Sequence, residues 1–431
     1  MKIHELKRDL SDGKLDVTLE KIYGSSAAAV QRERYLAAVD SFMGLYPNRE
    51  NIDIFSSPGR TEIGGNHTDH QHGCVLAAAI NLDVIAVVAF HDEKVIRVKS
   101  KGHDMDVIEL GSLGVQGEEY GTSAAIIRGI AAKFTEMGAN IGGFDAYTTS
   151  DVLSGSGLSS SAAFETLLGT IIDERYNGPK AGAVEIAKIG QYAENIYFGK
   201  KSGLMDQMAS SVGGLVFIDF NNTENPMIKR LDCDFERLGY SLCITDTKGS
   251  HADLIDDYSS IPFEMSRIAA YFGETHLRTV DEKDFLAELP ELRGKVSDRA
   301  ILRAAHFFND NKNAVEETAA LENDNIDKFL ELVGQSGNSS YKLLQNIYSC
   351  KRPQEQGLAL GIWASERVLN GRGAVRVHGG GFAGTIQAFV PRELESEYRT
   401  EMDRIFGAGS CKALRIRSYG GIKITADKDG E

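Results

Sequence analysis

The stretch Ser154-Gly155-Ser156-Gly157-Leu158-Ser159-Ser160-Ser161-Ala162 decides how this chain is read. Before it lies a run with strand character, Phe144 to Val152. After it, Phe164, Leu167, Leu168, Ile171 and Ile172 recur at i, i+3, i+4, i+7 and i+8, the stripe of a helix with one buried face. A strand that turns through glycine and serine into a helix presents unpaired N–H groups and the positive end of the helix dipole. Together these hold phosphate. Glycine lets backbone wrap an anion, and serine hydroxyls donate to its oxygens or ligate Mg2+. The spacing is neither the G-x-x-x-x-G-K-[ST] of a P-loop nor the G-x-G-x-x-G of a dinucleotide fold. Taken alone, the stretch is equally a Gly-Ser turn with a serine N-cap.

Working outward, two further glycine clusters run from Gly59 to Gly73 and from Gly379 to Gly384. Ile52-Asp53-Ile54-Phe55 reads as a strand entering the first, and Leu82 to Phe90 as a buried strand beyond it. Ala374 to His378 and Thr385 to Val390 read as strands flanking the third cluster, with short strands near Leu414 to Ile416 and Ile422 to Thr425. Helical patterns cover Ala27 to Leu45, a segment bearing Ile186, Ile189, Ala193, Ile196 and Tyr197, most of Ser266 to Leu344, and Arg392 to Phe406. Strands and helices mix without strict βαβ alternation, so the expected class is α+β with mixed sheets. Leu215 to Phe220 is a strand, and the polar Asn221 to Asn225 after it is a candidate boundary between units 1–222 and 223–431.

The 431 residues carry a net charge of −15, which excludes a duplex-binding face, so no nucleic-acid partner is expected. An anionic ligand must then be captured locally, against the overall field. No run approaches the roughly 18 apolar residues of a membrane span, and the charged start Met1-Lys2-Ile3-His4-Glu5 shows no signal peptide. Five scattered cysteines fit the reducing cytoplasm. Nothing points to an obligate protein partner.

Four motifs in order along the chain resemble the galactokinase family of the GHMP kinase superfamily. They are Pro58-Gly59-Arg60-Thr61-Glu62-Ile63-Gly64-Gly65-Asn66-His67-Thr68-Asp69-His70, the serine-glycine loop, Gly203-Leu204-Met205-Asp206-Gln207, and Gly379-Gly380-Gly381-Phe382-Ala383-Gly384. The resemblance implies the two-domain GHMP kinase fold with its active site in the cleft between domains. It implies ATP and Mg2+, and phosphorylation of the anomeric hydroxyl of galactose or a close relative. On the matching positions, Gly155, Ser156, Gly157, Leu158, Ser159, Ser160 and Ser161 would hold ATP. Asp206 would be the catalytic carboxylate with Arg60 beside it, and Ser160 and Glu194 would ligate Mg2+. Asn66, His67, Asp69, Gly203 and Tyr258 would meet the sugar.

The pattern departs from the family at several positions. Asn66 replaces the acid usual before the motif histidine, Glu62 replaces an asparagine, His70 a tyrosine, and Leu153 a proline, while Tyr419-Gly420-Gly421 stands for a late Gly-Ala-Gly. An amide both donates and accepts where a carboxylate only accepts, so Asn66 bears on which sugar is taken. Other readings are a catalytically silent paralogue that senses sugar and ATP, and another small-molecule kinase of the superfamily. A metal cluster of His67, Asp69, His70 and His72 is a further one.

Overall fold

The computed structural model describes residues 1–152, 157–249 and 254–425. Gly155 and Ser156, with Leu153, Ser154 and the polar tail from Asp427, lie outside the described residues. The strands are β1 Asp53–Gly64, β2 Cys74–His91, β3 Val95–Ser100, β4 Met105–Glu109, β5 Gly143–Ser150 and β6 Leu215–Asp219. Then follow β7 Met227–Leu231, β8 Tyr240–Asp246, β9 Ala374–Val377, β10 Thr385–Pro391, β11 Cys411–Leu414 and β12 Ile422–Ile424. The first sheet runs β12-β1-β2-β5-β3-β4, with β6 and then β7 continuing from β2, and the second runs β11-β8-β10-β9. Helices and mixed strands make this an α+β chain, as the sequence implies.

The long apolar run of β2 has a simple cause, since both of its faces are covered. Val84, Ala86 and Val88 pack with Ile127, Ile130, Leu167 and Ile171 of the helices Ser123–Glu136 and Ser160–Ile172. Their alternates Ile85, Val87 and Ala89 face Leu10, Leu19, Tyr35 and Phe42 of three N-terminal helices, Ile3–Ser11, Asp16–Tyr23 and Ala28–Leu45. The two-residue period of the strand therefore feeds two cores at once. Among the described residues no helix is long and apolar enough to cross a membrane.

Two expectations change. The first glycine cluster begins as strand: β1 continues to Gly64 against β2, with register shifts between Pro58 and Arg60 and between Glu62 and Gly64. Bulges of this kind re-aim side chains, here those of Arg60 and Glu62. The polar stretch Asn221 to Asn225 is the turn of a β6–β7 hairpin with Asp219 opposite Met227, so the boundary at residue 222 falls inside the first sheet. Polar turn residues mark a hairpin as readily as a linker. The chain leaves that sheet after Leu231 and returns to it through β12, which pairs with β1.

Candidate active site

Strand β1 touches the serine-glycine loop directly. A Cβ on Gly59 would lie 2.8 Å from the Leu158 carbonyl oxygen, so only glycine allows this approach. The next residue, Arg60, makes three links. Its backbone N–H donates to Leu158 O at 3.1 Å, its Nη1 donates to Gly157 O, and its Nε donates to Asp206 Oδ1 at 2.7 Å. Asp206 sits in the first turn of the helix Met205–Val212, and its Oδ2 accepts from Ser159 Oγ. Ser159 holds a left-handed φ of 54° immediately before the helix Ser160–Ile172. Its hydroxyl serves Asp206 rather than capping that helix, so the first-turn N–H groups have no side-chain cap and remain open to an anion.

The electrostatics of this corner are lopsided. Arg60 is sealed, at 6% side-chain exposure, whereas Asp206 keeps 31% and opens outward. Burial pushes the Asp206 carboxyl up, yet Arg60, by charge and hydrogen bond, together with Ser159, leaves it below the ordinary carboxylate value. It is ionised at neutral pH. Leu158 meets the loop through its backbone only, because its side chain is buried in the core under the first sheet.

The third glycine cluster closes over the same place. A Cβ on Gly379 would stand 3.8 Å from Gly157 O, and His67 Nε2 pairs with Gly380 O at 3.0 Å. Tyr258 donates its hydroxyl to Gly381 O at 3.0 Å, and its ring lies against Gly380. His378, just before the cluster, is buried and accepts at Nε2 from Glu62 N–H at 3.3 Å, while its Nδ1 meets Thr385 Oγ1 at 3.0 Å. Burial holds its pKa well below the ordinary histidine value, so it is neutral.

Of the expected sugar contacts, Asp69 and Gly203 meet, since a Cβ on Gly203 would fall 1.8 Å from Asp69 Oδ2. Asp69 Oδ1 accepts from His70 N at 2.9 Å. Burial first, and then the Asp206 charge, raise Asp69 to about 7. Burial lowers His67 to about 4, leaving a neutral ring.

Asn66 departs from expectation. Its Nδ2 donates to Glu62 Oε1 at 2.9 Å and to Gly379 O at 2.8 Å. Its Oδ1 accepts from Ser340 Oγ at 3.2 Å and from Asn346 Nδ2 at 3.0 Å. With 0% exposure and every polar valence used, the amide braces the protein and leaves nothing for a hydroxyl.

Glu194 lies in a π-helical turn, Ala193–Phe198, that extends the helix Gly182–Tyr192. Its Oε2 accepts from Ser202 Oγ at 2.5 Å and Gln207 Nε2 at 3.0 Å, and its Oε1 from Lys200 Nζ at 2.8 Å. Gln207 also donates to Glu165 Oε2 at 2.9 Å. A buried carboxylate that already attracts a cation, joined through Gln207 to Glu165 of the Ser160–Ile172 helix, suits Mg2+ and its preference for hard oxygen. Among the described residues no group of three or more His, Cys, Asp or Glu is placed to hold a metal. His67 and His70 lie edge to face at 5.6 Å, but His67 Nε2 is taken by Gly380 O and His72 stacks on His276 at 3.6 Å, so the four residues of the alternative metal reading do not converge on one point.

The galactokinase galactose-binding signature matches residues 40–90, and the GHMP kinase N-terminal domain matches residues 125–214. A galactokinase from Lactobacillus helveticus is 29% identical over 374 residues, spanning 83% of this chain and 91% of that protein. The chain thus carries a galactokinase signature and a GHMP kinase domain, and it is similar to a galactokinase over most of its length. The structure of Lactococcus lactis galactokinase complexed with galactose shares its fold, with a TM-score of 0.78 at 22% identity over 90% of this chain and 99% of that one. The mevalonate kinase of Methanococcus jannaschii follows at a TM-score of 0.60 and 17% identity, over 85% and 98%. The signature match holds Arg60, Asn66, His67 and Asp69, and the domain match holds Gly157 to Ser161, Glu194, Gly203 and Asp206. Tyr258 and the third glycine cluster lie outside both matches and join the site by contact.

Sequence reasoning assigned no role to Gln207, His378, Arg376, Asn346, Ser202 or Lys200. Gln207 ends a quoted motif and His378 adjoins one, which is a usable signal. Arg376 and Asn346 reach the site only through tertiary packing, and nothing in the local sequence marks them.

Proposed function

We propose that this chain is a galactokinase-family enzyme and transfers the γ-phosphoryl group of ATP to the anomeric hydroxyl of galactose or a closely similar sugar. The supporting observation is the single guanidinium of Arg60, which ties Asp206 to Gly157 at the uncapped start of the Ser160–Ile172 helix. That link sets a carboxylate beside a phosphate cradle, as phosphoryl transfer requires.

In this reading the triphosphate rests on the N–H groups from Gly157 to Ser161, with Ser160 and Glu194 holding Mg2+, which would neutralise phosphate charge. The sugar rests against Asp69, His67, Gly203 and the outer edge of Asp206, near Tyr258. Asp206 orients the anomeric O–H and accepts its proton as oxygen attacks phosphorus and the bond to the β-phosphate oxygen of departing ADP breaks. Its lowered pKa suits a loose transition state, in which the proton leaves late. Arg60 fixes the carboxylate and offsets negative charge on the moving phosphoryl group. The site lies where β1 and the phosphate loop meet the third glycine cluster. That is the cleft between a unit built on the first sheet and one built on the second.

Incubation with ATP, Mg2+ and a panel of hexoses, with NMR of the products, tests the reading. It expects a sugar 1-phosphate from galactose or a near analogue. Phosphate on another carbon, or from an unrelated acceptor alone, contradicts it. Sugar and ATP binding without turnover would favour the silent, sensing paralogue instead.

A further inference from the structure

Glu194 is gripped unequally. Its Oε2 is held by two neutral donors, Ser202 Oγ and Gln207 Nε2. Among the described residues, its Oε1 is held by the Lys200 ammonium alone, at 2.8 Å. The carboxylate is sealed at 4% exposure, whereas the lysine side chain is 61% exposed and reaches in from solvent. Lys200 follows Gly199, whose φ is 86°, in the short connection that leads to Gly203 and Asp206. Three carboxylates act on its ammonium, Glu194 most strongly, then Asp206 and Glu165. Arg60, the other cation at this corner, is already committed to Asp206 and Gly157 O.

Two cations cannot share one carboxylate oxygen at contact distance without strong repulsion. A divalent ion at Glu194 therefore requires the ammonium to leave Oε1. Its flexible four-carbon stem keeps it near the same spot, and it lies close enough to Asp206 to lower that group's pKa. Asp206 is bonded to Ser159 at the start of the phosphate-facing helix, so a displaced ammonium stays within the field of bound phosphates. A mobile point charge is well suited to them.

We infer that Lys200 occupies the divalent cation's place on Glu194 in the nucleotide-free protein and, as Mg2+ and ATP enter, exchanges that carboxylate for the nucleotide's phosphates. The exchange rests on the proposed reading of Glu194 and the helix start. It adds a residue that makes metal and nucleotide binding interdependent: metal alone must compete with the lysine, and metal with nucleotide gains from it.

The test uses the full chain and the variants Lys200→Met, Lys200→Arg and, as a neighbouring control, Lys201→Met. Mn2+ alone is titrated and followed by the EPR signal of the free ion. A non-hydrolysable ATP analogue with Mg2+ is then titrated by calorimetry. Lys200→Met should bind Mn2+ about tenfold tighter, the equivalent of about 1.4 kcal/mol. It should also bind the Mg2+–nucleotide about tenfold more weakly. Lys200→Arg should keep most of the nucleotide affinity, and Lys201→Met should match wild type in both titrations. These opposite shifts separate the exchange from a structural role, which would move both affinities together. Unchanged or weaker Mn2+ uptake in Lys200→Met, or no uptake by either protein, overturns the placeholder. Unchanged nucleotide affinity overturns the phosphate contact, and with it the exchange. A wild-type protein that binds no Mg2+–nucleotide overturns the kinase reading itself.

Discussion

Arg60 and Glu62 stand two residues apart on β1 and make two different kinds of corner. Arg60 binds Asp206 and Gly157 O, and the pair leaves Asp206 facing outward. Glu62 accepts from Arg376 Nη2 at 2.6 Å and Asn66 Nδ2 at 2.9 Å, in a pocket where Arg376 and Asn66 are both 0% exposed. Arg376 belongs to β9 of the second sheet and also donates to Ile63 O at 2.5 Å. The second corner is therefore a clamp between the two sheets, and the first is a chemical site with one side left open. Polar residues in one motif divide between these tasks according to whether any valence remains unused.

The sharpest way to break this contrast is Asp206→Asn. At the open corner it should lower turnover about a hundred- to ten-thousand-fold. The chain should stay folded and keep ATP affinity near wild type, with a lower melting midpoint because buried Arg60 loses its counter-charge; coupled ADP release beside nucleotide titration would show this. At the sealed corner, Arg376→Met should do the reverse, leaving the Glu62 charge buried and unpaired at a cost of about 3–5 kcal/mol. Urea unfolding reads that loss. Sugar affinity in the protein that stays folded should change little. Asn66→Glu sharpens the comparison further. It brings a second carboxylate to Glu62 and strands Gly379 O, so stability should fall by about 1–3 kcal/mol with the ranking of sugars preserved. A changed sugar ranking at unchanged stability would return Asn66 to the sugar site.

A further test is one of pH. Asp69 is raised from 3.8 to about 7 in the folded protein, so across that window the folded state holds a proton that the unfolded state has released. Stability from this group therefore falls as pH rises through the window, and Asp69→Asn should flatten the slope. Urea midpoints measured at several pH values between those limits check the sign.

Much of the site was legible because its residues lie in short motifs whose chemistry is local. The strand–loop–helix frame around the serine-glycine loop needed only periodicity and glycine placement, and the Ser160–Ile172 helix matches its stripe. Asp206 beside Arg60 came from motif resemblance, and the structure sets them 2.7 Å apart. What stayed hidden depends on tertiary partners. Asn66 looks like a ligand until Ser340 and Asn346, far along the chain, take its carbonyl oxygen. The turn at Asn221 to Asn225 reads as a linker until β7 pairs back onto β6. The helices Ile3–Ser11 and Asp16–Tyr23 escaped because their apolar faces are short, and only the far side of β2 gives them a core.

The central claim is most directly tested by a crystal structure of the chain with a non-hydrolysable ATP analogue, Mg2+ and galactose. The account predicts the terminal phosphate on the backbone N–H groups at Ser159 to Ser161 and the anomeric oxygen within hydrogen-bond reach of Asp206. Nucleotide seated elsewhere, or sugar bound with its anomeric oxygen turned away from Asp206, would contradict it.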